Sequence, residues 1–189
     1  AHSPCGIMDQ FICVLGQSGH ALLLDCRSQD HEQLPLPQGD YRFMVMDTQV
    51  RHSIGASEYP VRQRQCREGL AVLRGARPEM TVLRDLPPGE LGQQAGALDA
   101  LTHRRCRHVV SEIARTLLAA QMLRRCDLAT FGQLMFESHA SLRDDYEVSC
   151  AELDALVETA RSVSGVHGAR MTGGGFGGCA IALIDAGAE

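Results

Sequence analysis

From Met171 to Ile184 the chain reads Met-Thr-Gly-Gly-Gly-Phe-Gly-Gly-Cys-Ala-Ile-Ala-Leu-Ile, with five glycines in the six positions 173–178 and an apolar run behind them. Glycine has no Cβ and adopts positive φ readily. The loop is therefore built either to pack tightly against another backbone or to offer its N–H groups to an anion, phosphate being the obvious one. Read alone, the stretch is equally a tight turn joining two strands.

The rest of the chain sets the surroundings of that loop. Ser3-Pro4 is an N-cap and first-turn pair, and Ile7, Met8, Phe11, Ile12 and Leu15 recur at helical spacing, which predicts a short helix stopping at Gly16. Residues 20–26 and 42–47 read as strands, joined by a Pro- and Gly-containing link over 34–39. A helix opens at Pro60 and runs towards Leu73. The stretch 76–92, with Pro78, Pro87, Pro88 and Gly89, reads as a surface connection. From Leu98, apolar residues at 101, 109, 110, 113, 117 and 122 predict one long helix into Arg124-Arg125, and Asp127 caps the next. Ser149 to Glu152 fits a capping box, with Leu153, Leu156, Val157, Ala160 and Val163 as the buried stripe before Gly165. Strand, glycine loop and strand follow. This order predicts an α+β fold rather than a doubly wound one.

Composition narrows the function classes. With 189 residues and 44% hydrophobic content, one large domain or two small ones can bury a core. Every one of the 18 basic residues is arginine, which excludes a Walker-type phosphate lysine or a Schiff-base lysine within this segment. The net charge of -5 argues against nucleic acid as the main partner. Arg104, Arg105 and Arg107 read as a solvated helix face. The eight cysteines include no C-x-x-C, so zinc is not expected, and Cys13 and Cys179 fit small, buried, reduced thiols of a cytosolic protein. No apolar run is long enough to span a membrane.

Among polar residues, Asp9 lies about 130° from the centre of the first helix's apolar stripe, pointing away from a core, in the first turn where the macrodipole favours a carboxylate. Taken by itself, such a residue is an ordinary solvated aspartate. Tyr59 by itself is an amphipathic residue at a helix entry, and Arg51 a surface arginine. His52 and His139 read as hydrogen-bonding groups of the fold rather than catalysts.

Pro4-Cys-Gly-Ile-Met-Asp-Gln10 and Met171 to Cys179 together resemble segments of the galactokinases of the GHMP small-molecule kinase superfamily. So do Ala21 to Ser28, Val50 to Ser53, Ser57 to Arg62 and Ser138 to Cys150, in galactokinase order, so the resemblance covers nearly the whole chain. It implies a GHMP kinase fold. Residues 1–48 would be the tail of a ribosomal S5 domain 2-like N-terminal lobe, and residues 49–189 most of a ferredoxin-like C-terminal lobe, with the active site between. The family's N-terminal sugar signature and serine-rich phosphate loop have no counterpart, so the expectation is a C-terminal half, truncated at both ends and inactive without its missing N-terminal half.

The implied activity is ATP-dependent phosphorylation of the anomeric hydroxyl of galactose to galactose 1-phosphate. A galactose- and ATP-binding regulator without kinase activity, or an N-acetylgalactosamine kinase, are the alternatives. By the same resemblance Asp9 is the catalytic base and Arg51 the cation that keeps it ionised. Gly6 approaches the sugar through its backbone, and Tyr59 bonds a sugar hydroxyl. Gly173, Gly174, Gly175, Gly177 and Gly178 support the nucleotide-phosphate loop and would face a void or solvent where that partner is absent. ATP and Mg2+ are implied as cofactors, with the metal ligands mostly in the missing half, so no metal residue is assigned. Galactose and ATP are the expected partners, without nucleic acid or membrane, in a cytoplasmic protein that is a monomer when complete.

Overall fold

The computed structural model describes residues 6–36, 39, 41–50 and 58–188. Helix α1 (Met8–Leu15) ends where the Gly16 N–H bonds the Ile12 carbonyl at 2.9 Å. The expected cap at Ser3-Pro4 lies outside the described residues. None of α1 is buried, and Met8, Ile12 and Val14 are exposed. Cys13, expected in a core, is exposed as well, because nothing among the described residues covers the face it lies on.

Strand β1 (His20–Leu24) pairs antiparallel with β2 (His31–Pro35). β2 is a correction to the sequence reading, which put a link over 34–39. Its single buried residue is Leu34, and one apolar position in five gives no alternation to detect. Leu34 packs with Ala120 and Leu123 of the long helix, which ties the hairpin to the helical body.

Strand β3 (Tyr41–Asp47) pairs along its whole length with β5 (Cys179–Asp185), from Tyr41↔Asp185 to Asp47↔Cys179. On the far side of β5 lies β4 (Val166–Met171), so the antiparallel order is β3-β5-β4. One face of this sheet carries Met44, Met46, Ala169, Met171, Ala180, Ala182 and Ile184. With Leu153, Val157 and Ala160 of α5 (Ala151–Ser162) and with Phe136, these residues form one core. Helix α5 starts at Cys150 without a side-chain cap, so the expected capping box does not form; the Ser149 hydroxyl goes to Asp154 instead, at 2.6 Å. Val163, expected in the buried stripe, is exposed.

Helix α2 (Glu58–Leu73) packs on α3 (Ala100–Arg124), and α4 (Leu128–Ser141) on α3 and β4. The carboxylates of Asp99 and Asp127 cap α3 and α4, accepting from the backbone N–H groups of Leu101, Thr102 and Thr130. The stretch read as a surface connection is instead core-forming: Met80, Leu83, Leu86 and Leu91 are buried with Leu73, Cys106 and Val110. Its prolines and glycines do prevent an α-helix. Short turns, one of them a 3₁₀ turn at Leu83–Asp85, still bring apolar residues three apart to the same side.

On α3 the buried face also differs from expectation. Leu101 and Leu117 are exposed, whereas Arg105 is 1% exposed and His108 is buried. Both polar residues have partners, which is what makes their burial tolerable.

Candidate active site

The first turn of α1 and the start of the glycine loop border one cavity of about 380 Å³, lined by Met8 from α1, Thr172 and Gly173 from the loop, Phe43 and Ile181 from the sheet, and Arg115 and Arg170 among its charged residues. Asp9 follows Met8 and is exposed, and no described side chain pairs with its carboxylate. A carboxylate so placed is available to a ligand. Gly6 is exposed too, and a Cβ there would meet nothing within 4 Å, so packing within the described residues does not require glycine at that position.

Exposure divides the glycine loop. Gly173, Gly174 and Gly178 are exposed, whereas Gly175 and Gly177 are buried. At Gly175 φ is +85° and a Cβ would lie 2.1 Å from the Val148 carbonyl oxygen, so tight backbone packing accounts for this residue. The loop therefore does not face only solvent or a void. Its far end is fastened to the segment that follows β3: the Thr48 N–H and hydroxyl donate to the Gly178 carbonyl at 3.0 and 2.7 Å, and the Gly178 N–H donates to the Val50 carbonyl at 3.2 Å. Arg51 and His52 themselves lie outside the described residues.

Tyr59, second residue of α2, is half-buried and within electrostatic reach of Tyr146. Burial, with Cys66 and Tyr59 close by, holds the Tyr146 phenol well above the usual tyrosine range. Tyr146 stacks on His108 at 4.5 Å, and burial pushes that imidazole down to about 4. His108 is therefore neutral at physiological pH. His139 is 1% exposed, held by Asp154 at 3.1 Å and by the Met171 N–H at 3.3 Å, the structural role expected of it.

Of the three arginines read as a solvated face, Arg107 is exposed and Arg104 half-buried, whereas Arg105 is buried and departs from that reading. The Arg105 guanidinium donates to the Asp145 carbonyl at 2.5 Å, to Gln65 at 3.0 Å and to Glu147 at 2.5 Å; Arg104 pairs with Glu147 at 2.6 Å, and Arg107 with the Asp145 carboxylate. They clamp Leu142–Tyr146, a π-helical turn, onto α3. A second cluster borders the cavity: Glu112 pairs with Arg115 and with Arg170 (3.1 Å) and accepts from the Ser138 hydroxyl. Burial alone would raise the Glu112 carboxyl, but that hydroxyl and the two guanidinium groups outweigh it and hold it below the usual range. The acidic run Asp144-Asp145 and Glu147 is a charge complement to the arginines of α3, but the sequence alone does not place the two side by side.

Among the described residues no three His, Cys, Asp or Glu side chains converge as a metal would need, and no helix is long and apolar enough to cross a membrane. The seven described cysteines are free thiols.

The profile of the family described as "GHMP kinases C terminal" matches residues 119–189. The chain is 54% identical to the galactokinase of Homo sapiens over 188 residues, covering 100% of this chain and 47% of that protein. It is 54% identical to the Bos taurus galactokinase, covering 98% and 46%, and 48% identical to that of Chloroflexus aggregans, covering 96% and 46%. Lactococcus lactis galactokinase, crystallised in complex with galactose, superposes with a TM-score of 0.92 at 39% identity, over 97% of this chain and 47% of that one. The chain spans about half the length of the curated relatives it matches.

Proposed function

We propose that this chain, similar to galactokinases over nearly its whole length and matching the GHMP kinases over residues 119–189, serves the transfer of the γ-phosphoryl group of ATP to the anomeric hydroxyl of galactose, giving galactose 1-phosphate and ADP. The observation that carries this reading is the shared cavity, which sets the start of the helix bearing Asp9 beside the start of the glycine loop. In a phosphoryl transfer the protein contributes mostly alignment and charge stabilisation.

Asp9 accepts the proton as the anomeric oxygen forms its bond to the γ-phosphorus and the bond to the β-phosphate oxygen breaks. An exposed carboxylate at a helix N-terminus, with no competing partner among the described residues, suits that role. Tyr59 donates to or accepts from a sugar hydroxyl, the backbone at Gly6 lies against the sugar, and Arg51 keeps Asp9 ionised and offsets phosphate charge. Gly173, Gly174 and Gly178 give the nucleotide-phosphate side a surface free of side chains, while Gly175 and Gly177 seat the loop. When bound, Mg2+ would neutralise charge on the ATP phosphates. Its protein ligands are proposed to come mostly from the N-terminal half of the enzyme.

The whole enzyme would be a monomer completed by an N-terminal half. The lobes were expected to divide at 48, but the full-length pairing of β3 with β5 favours a division ahead of Tyr41. Free thiols favour the cytoplasm. The test is product analysis by phosphorus NMR, in a chain of the relatives' full length that carries this sequence, given Mg-ATP and either galactose or N-acetylgalactosamine. Galactose 1-phosphate as the main product is expected. Phosphorylation of N-acetylgalactosamine alone, or binding without turnover, would replace the reading with a different kinase or a sugar sensor.

A further inference from the structure

Three consecutive backbone carbonyls, those of Tyr146, Glu147 and Val148, are shared between the two parts of the site. The first two accept from the Arg62 guanidinium, Nε at 2.7 Å and Nη2 at 2.8 Å. The third accepts the N–H of Phe176 in the glycine loop at 2.7 Å. Arg62 stands three residues after Tyr59, on the same side of α2, and is 8% exposed. Its guanidinium also lies over the Phe176 ring, 5.9 Å from the centroid, at the outer limit of a cation–π contact.

Phe176 is itself anomalous. It has φ +61°, a left-handed conformation unfavourable for a bulky residue, although glycines flank it on both sides. A loop that needed only flexibility would carry a sixth glycine there. A ring kept in a strained conformation is held by its surroundings, and Arg62 with the Val148 carbonyl provides that hold. Glu147, between the two gripped ends, is left-handed as well, at φ +54°. The segment 146–148 thus has its amide planes turned so that consecutive carbonyls serve two different elements.

We propose that Arg62 is a positioning residue which, through the 146–148 segment and Phe176, couples the sugar-contacting start of α2 to the glycine loop, so that occupancy of one part of the site orders the other. This inference rests on the galactokinase reading for the identity of the two ligands. Lysine at 62 would keep the charge but lose the planar fork that reaches two carbonyls together. Leucine at 176 would keep apolar volume and remove the ring.

The test uses a kinase of the relatives' full length carrying this sequence, as wild type, Arg62→Lys and Phe176→Leu. Galactose affinity is measured with and without a non-hydrolysable ATP analogue, alongside amide hydrogen exchange at residues 173–178. Wild type should bind galactose at least ~5-fold more tightly with the analogue present, and galactose alone should slow exchange in the loop. In either variant the ratio should fall towards one and the loop protection should vanish, while α2 remains protected. Wild-type coupling and loop protection retained in both variants would overturn the role of Arg62 and leave the kinase reading standing. Absence of galactose binding by the wild type would remove that reading and the inference with it.

Discussion

His108 shows how a single buried side chain writes itself into the stability of the protein. It lies against Tyr146 and bonds the Ser141 hydroxyl at 2.9 Å, and burial lowers its pKa from 6.5 to about 4. An unfolded imidazole takes up its proton near pH 6.5, whereas the folded one waits until about 4. Between those values the unfolded chain binds more protons, so stability is lost as the pH falls through the window, by about 3 kcal/mol when the shift is fully expressed. His139, also lowered chiefly by burial, acts in the same direction. Urea midpoints measured from pH 7 to 4.5 should decline, and His108→Gln should remove a proton's worth of that slope. An unchanged slope in a folded variant would contradict the assignment. None of this was legible in the sequence, where His108 lies in a long helix whose leucines suggested a different inner face. Partner geometry decided it: the Ser141 hydroxyl supplies the polar contact and the Tyr146 ring stacks on the imidazole.

The elements most regular in sequence were the easiest to read. Helix α1 and the β4–loop–β5 unit follow from apolar spacing and from glycine; the caps of α3 and α4 follow from Asp99 and Asp127. β2 and the core under 76–92 did not, because one buried leucine or a few turn-borne apolar residues carry no period. A second element-scale contact was equally hidden. Helix α4 runs against β4 through two glycines, Gly132 and Gly168, and a Cβ on Gly132 would lie 2.2 Å from the His167 carbonyl oxygen. In an isolated helix, alanine for glycine would gain about 1 kcal/mol. Against backbone that cannot yield, overpacking costs roughly 3 kcal/mol. Gly132→Ala should therefore destabilise by about 2 kcal/mol, read as a lower denaturant midpoint with an unchanged slope. A neutral or stabilised variant would show that α4 can move away from the strand.

At the scale of the whole molecule, segments far apart in sequence meet at the glycine loop: the start of α1 shares its cavity, the residues after β3 bond Gly178, and Arg62 of α2 lies over Phe176. The candidate site was partly legible because its residues sit in short runs that resemble galactokinase segments. What joins those runs was not, since Arg62, Arg105 and the 146–148 carbonyls act through backbone geometry that no residue type announces. Of the exposed large apolar residues, Met8, Ile12 and Val14 lie on α1 and Phe43 and Val45 on β3, whereas Val72, Leu101, Leu117 and Leu118 lie on α2 and α3. If Asp9 takes the proton of the anomeric hydroxyl, its loss must slow the chemical step and spare sugar binding. The measurement that tests it most directly is galactose-dependent ADP release by a full-length kinase carrying this sequence, compared with its Asp9→Asn variant under saturating Mg-ATP. A fall of roughly 10²- to 10⁴-fold in kcat, with galactose still bound by the variant, is the expected result; turnover at the wild-type rate would contradict the account.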